Sequence, residues 1–97
     1  MFEFETRRVV KSSDVLLQDL GNEAVLLNMA NGQYYGMDEN SYFMYRTLLS
    51  SHSVLAAYET LSKQYEVDPE QLRSDLDGFI RHLLDNGLLA YSDDKSG

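Results

Sequence analysis

The stretch Ala24–Val25–Leu26–Leu27–Asn28–Met29–Ala30–Asn31–Gly32–Gln33–Tyr34–Tyr35–Gly36–Met37–Asp38 decides the fold. Two short apolar runs flank Asn31–Gly32. Asn-Gly between such runs is a strong hairpin signal, because a type I′ turn needs positive φ at both central residues. Upstream, Val15–Leu16–Leu17–Gln18–Asp19–Leu20 is another run, closed by Gly21–Asn22, which predicts a second hairpin. Together they give a three-stranded antiparallel meander whose third strand is Gln33–Met37. Val9–Val10 either extends the first strand or pairs separately.

Beyond Met37 the apolar period changes from two to about 3.6. Asp38 can cap a first helix with Tyr42, Tyr45, Leu48 and Leu49 on its apolar side. Ser53 can cap a second, with Val54, Ala57, Tyr58 and Leu61 on one face, ending near Gln64–Tyr65. The third has the clearest signals. Asp68 is the expected N-cap, Pro69 takes the first helical position, Gln71 completes a capping box and Val67 staples against Leu72. Leu72, Leu76, Phe79, Ile80, Leu83 and Leu84 form an amphipathic stripe, and Gly87 ends the helix in a left-handed cap. Leu88–Leu89–Ala90–Tyr91 follows as an apolar tail docked on the core. The expected fold class is α+β, winged-helix-like: a three-stranded antiparallel sheet followed by three helices.

Ninety-seven residues predict one domain over 1–97, with a core over about 15–91 and a loose polar tail at 92–97. Sixteen acidic against eight basic residues give a net charge of −8. That balance disfavours nucleic acid and anionic membrane surfaces, both of which are bound through Lys and Arg. The third helix alone carries Asp68, Glu70, Asp75, Asp77 and Asp85 against Arg73 and Arg81. A winged-helix regulator would insert that helix into DNA, and here it has the wrong sign. No cysteine is present, so a disulfide scaffold and a thiolate zinc site are excluded. The N-terminal residues lack the pattern of a secretory signal, and the default compartment is the cytoplasm.

Catalytic constellations are missing as well. His52 lies between serines in a predicted turn and His82 on the polar side of the third helix. There is no HExxH, GxSxG, P-loop or GxGxxG pattern. The informative residues are aromatic. Tyr34 and Tyr35 are adjacent on a strand, so they point to opposite faces. One joins the core. The other is either simply half-exposed or belongs to an edge strand open to a partner, which would gain main-chain hydrogen bonds by adding there. A proline at Tyr35 is then expected to block a main-chain bond or distort the strand. The same open edge can pair with a second copy, giving a homodimer.

Several segments carry a family likeness. They are Glu23–Ala24–Val25–Leu26–Leu27, then Asn31 through Glu39 (N-G-Q-Y-Y-G-M-D-E), Leu61 through Asp68 (L-S-K-Q-Y-E-V-D) and Phe79 through Leu89 (F-I-R-H-L-L-D-N-G-L-L). At these spacings they resemble the PqqD-like family, the coenzyme PQQ synthesis protein D group, over roughly Val15 to Leu89. The chain departs from the family at Ser41 and Tyr42, near small residues of the usual first helix, and at Tyr45, often Trp. The resemblance implies a non-catalytic recognition element, without cofactor or metal, for the leader of a ribosomally made precursor peptide. The leader would add as a strand to Gln33, Tyr34, Tyr35, Gly36 and Met37. Val25 and Leu27 would contribute on the sheet side, and Leu72, Arg73, Asp75, Leu76, Phe79 and Ile80 on the helix side. For Leu76, Phe79 and Leu83 the competing reading is plain core. Overall likeness favours the stand-alone element of lasso-peptide biosynthesis, whose partner is a separate leader-cleaving cysteine protease. The alternative is the PQQ pathway, where the partner is a radical SAM enzyme.

Overall fold

The structure is a computed structural model that describes residues 6–92. Beyond Ser92, the tail expected to be loose lies outside the described residues. The element order is β1 (Val9–Lys11), β2 (Val15–Asp19), β3 (Ala24–Asn28), β4 (Gln33–Met37), α1 (Glu39–Ser50), α2 (Val54–Gln64), α3 (Pro69–Asp85) and β5 (Leu89–Tyr91). β2, β3 and β4 form the expected antiparallel meander, in that order. β1 pairs separately, antiparallel with β5, from Val9 opposite Tyr91 to Lys11 opposite Leu89. The apolar tail is therefore a strand of a small second sheet.

The alternation of side chains along a strand sets the layers. In β3, Ala24, Leu26 and Asn28 are buried, and in β4 so is Met37. Helix residues Tyr45, Leu48, Val54, Leu61, Leu76, Ile80 and Leu83 pack with Leu26, Met37 and Val15 in one core cluster. All three helices thus contribute to the core shared with the inner face of the sheet. Tyr45 is fully buried and its hydroxyl has no hydrogen-bond partner. Burial pushes that phenol up to about 12. Tyr42 ties α1 to the first hairpin: its hydroxyl donates to Asp19 Oδ2 at 2.7 Å. With the Gly21 amide, which donates to the same carboxylate, it holds Asp19 below the usual carboxylate range. This link weakens as pH falls through that lowered pKa.

Helix starts follow the sequence in two cases and depart from it in one. Asp38 and Ser53 cap α1 and α2, accepting from the Ser41 and Ala56 amides. Asp68 occupies the N-cap of α3 but makes no side-chain capping bond. Gln71 donates instead to Asp75 Oδ1, one turn on, at 2.8 Å, so the capping box is absent. Val67 stays half-exposed while Leu72 is buried, which also argues against the staple.

The hairpin loops differ from expectation in detail. Among the described residues none other than glycine has positive φ, so Asn31–Gly32 is not a type I′ pair. The β3–β4 loop is longer, Asn28 pairing with Gln33 and the Gly32 amide donating back to the Asn28 carbonyl. Two asparagine side chains stabilise it locally: Asn28 Oδ1 accepts from the Ala30 amide and Asn31 Oδ1 from the Gln33 amide. The β2–β3 loop is the two-residue one, with positive φ at Gly21 alone, as a II′ turn requires.

The end of α3 is a Schellman motif: the Leu88 amide donates to the Leu83 carbonyl and the Gly87 amide to the Leu84 carbonyl. Gly87 has φ of +70°, and a Cβ there would lie 3.1 Å from Asn28 Nδ2. Gly87→Ala is expected to destabilise the domain by about 1–2 kcal/mol, the cost of a left-handed L-residue. A thermal melt showing an unchanged midpoint would refute this.

Candidate functional site

β4 is one of the two edge strands of the sheet, pairing with β3 alone among the described residues, and the one beside α3. Which of its backbone groups face outward follows from the hydrogen-bond phase. The Met29 amide donates to the Asp14 carbonyl and the Leu20 amide to the Glu23 carbonyl. Odd-numbered residues of this segment therefore direct their backbone groups toward β2. Ala24, Leu26 and Asn28 direct theirs toward β4, opposite Met37, Tyr35 and Gln33. Successive residues alternate. The N–H and C=O groups of Tyr34 and Gly36 consequently point away from β3, to the open edge. Tyr35 faces the other way, so a proline there would break the β3–β4 ladder. The main-chain bond that proline at Tyr35 blocks is therefore one to β3, not one to an added strand.

Tyr34 and Tyr35 do lie on opposite faces. Tyr34 is 74% exposed on the outer face, whereas Tyr35 is half-buried against the core. Burial, and then the negative charge of Asp38, raise the Tyr35 phenol above its ordinary value. Its ring packs against His82 of α3, centroids 5.2 Å apart and tilted by 47°. That contact places one flank of α3 beside β4. Phe79, half-buried, is one turn before His82 on the same flank, and Asp75, exposed, is a further turn away.

At the Gln33 end of β4 this flank closes a cavity of about 200 Å³, lined by Asn28, Gln33, Tyr34, Tyr35, His82, Asn86 and Leu88. Asn28 braces it. Its buried side chain donates from Nδ2 to the Asn86 carbonyl at 3.0 Å, tying β3 to the end of α3. Sequence reasoning assigned no site role to Asn28, His82, Asn86 or Leu88. A signal existed for the first three. Asn28 is a polar residue on the buried parity of an apolar strand. His82 and Asn86 continue the Phe79 flank at helical spacing.

The other predicted positions separate into three groups. Met37, Leu72, Leu76 and Ile80 are buried members of the core, as is Leu83. Val25, Leu27, Tyr34 and Gly36 lie on the outer face of the sheet, turned away from α3. Arg73 sits six residues before Phe79, about 120° around the helix at ~100° per residue, on the opposite flank of the buried stripe. Gln33, Tyr35, Asp75 and Phe79 are the predicted residues that line the β4–α3 side. A larger cavity, about 550 Å³, opens at the other end of β4 between Asn22–Glu23, Asp38–Asn40, Phe43, Arg46 and Gln64–Tyr65. None of the predicted site residues lines it.

Among the described residues no group of His, Asp and Glu is arranged to hold a metal, and no helix is long and apolar enough to cross a membrane.

Two solved structures share this architecture. TbiB1 in complex with the TbiA(beta) leader peptide matches with a TM-score of 0.77 at 27% identity, covering 87% of this chain and 99% of that one. Lasso peptide synthetase B1 complexed with the leader peptide matches with a TM-score of 0.76 at 20% identity, covering 86% and 98%. At 20% identity the second likeness establishes the fold alone. No curated protein sequence matches the chain. The family model for coenzyme PQQ synthesis protein D matches residues 23–89, most of the meander and all three helices, and the chain belongs to that PqqD family.

Proposed function

We propose that this chain is a non-catalytic recognition domain that binds the leader segment of a ribosomally made precursor peptide by strand addition to β4. The observation that carries this reading is the open edge: Tyr34 and Gly36 offer two N–H and two C=O groups beside an apolar-aromatic flank of α3. The likeness to TbiB1, solved with a leader peptide, supports it. The leader is then delivered to a separate processing enzyme. Overall likeness of the sequence favours a lasso-peptide system, in which that enzyme is a leader-cleaving cysteine protease. A PQQ-type pathway with a radical SAM enzyme is the second reading, and the family's own description favours it.

Magnitudes show what such a site must supply. Four main-chain bonds contribute about 2–6 kcal/mol net, at roughly 0.5–1.5 each. Ordering five peptide residues costs about 5–10 kcal/mol in backbone entropy. The ladder alone does not hold the peptide, so side-chain burial decides affinity. One or two apolar leader side chains packed against Tyr35 and Phe79 would each add about 1.5–3 kcal/mol. Titrating a fluorescent cognate leader into the protein is expected to give saturable binding, and the protein alone is expected to leave the precursor uncut. Absence of binding would overturn the reading, and cleavage by the purified protein would overturn its non-catalytic part.

A further inference from the structure

Within the strands, the outer face of the three-stranded sheet carries no charge. In register, Leu16, Leu27 and Tyr34 form one cross-strand row, and Gln18, Val25 and Gly36 form the next. Leu16 is 52% exposed and Tyr34 more so, and with Gln18, Val25 and Leu27 they wall an open cavity of about 300 Å³. Gly36 leaves a notch at the end of its row: a Cβ built there meets nothing within 4 Å. Exposed apolar surface beside a free strand edge marks a binding face.

Both rows end at the open edge, at the two residues whose backbone groups point outward. A strand added there, in either direction, lays its side chains beside Tyr34 and Gly36 on the same face as Tyr34. Those side chains continue the two rows. We propose that this outer face is a second reading surface for the strand-added peptide. It selects uncharged side chains beside Tyr34 and Gly36, with a bulky apolar one over the Gly36 notch. The inference rests on strand addition and deepens it: the peptide is read on both faces, by Tyr35 and Phe79 inside and by Tyr34, Leu27 and Val25 outside. A charged side chain on this face would lose water and gain no partner there.

Selection from a randomised linear peptide library, using the full chain and two variants, tests this. The wild type is expected to enrich extended peptides with uncharged residues two positions apart, one of them bulky. Gly36→Val fills the notch without a clash and is expected to shift that position to small residues. Tyr34→Glu is expected to enrich Lys or Arg two positions away from it, by up to about fivefold per round, the range of a cross-strand ion pair. If all three proteins enrich the same strand-like peptides, the outer face does not read sequence, while strand addition stands. If the wild type enriches no extended peptide, both readings fall.

Discussion

Gly36→Pro is expected to weaken leader binding at least about tenfold while leaving the domain folded. Tenfold is about 1.4 kcal/mol, less than the two main-chain bonds and side-chain contacts that a blocked edge forfeits. The outward phase of Gly36 is what makes the substitution selective. Its N–H bonds nothing in β3, and its φ is not in the positive region that would exclude proline. Proline is tolerated on edge strands when its missing N–H faces solvent. Space is available too, since nothing lies within 4 Å of a Cβ at this position. Tyr35→Pro serves as the contrast, because it removes a bond to β3 opposite Leu26 and should lower the melting temperature. The two outcomes are read by fluorescence anisotropy with a labelled cognate leader and by thermal melts. Unchanged affinity for Gly36→Pro would exclude the β4 edge as the binding site.

Leu76→Ala is expected to lower stability by about 2–5 kcal/mol. Leu76 is 0% exposed and lies on the stripe of α3 that packs into the core. The cost combines lost burial with a cavity that close-packed neighbours fill only in part. Against a total of about 5–15 kcal/mol for a domain, such a loss leaves little margin. Asp75→Ala, one residue earlier but exposed, should change stability by no more than about 0.5 kcal/mol. Urea denaturation of both variants measures the contrast. A shift under about 1 kcal/mol for Leu76→Ala would mean that this side chain lines a groove after all.

Composition and period carried much of the fold. Strand bounds over Gln33–Met37 and Val15–Asp19, and the caps at Asp38 and Ser53, are local events. Their signals lie within a few residues of their effects. The α3 box did not form: Asp68 accepts no capping bond, and the Gln71 side chain is held by donating to Asp75, one turn on. The turn type was less legible, because Asn28 and Asn31 each offered local bonds that suit a longer loop than the Asn-Gly pair implies. For the candidate site, the pattern marked β4 and the α3 stripe but could not divide that stripe between core and groove. Leu76 and Ile80 went inward, and Phe79 stayed half-buried on the flank that reaches His82.

By itself, the sequence determined that this is a small acidic α+β fold with an alternating third strand of the meander and an amphipathic last helix, because periodicity and charge are properties of neighbours along the chain. Only the tertiary structure decided that Val9 meets Tyr91, that Asn28 reaches Asn86, and that Tyr34 and Gly36 turn their backbone groups to the open edge. Those outcomes depend on the hydrogen-bond phase set by partner strands and on contacts between residues far apart in the chain, which no local pattern encodes.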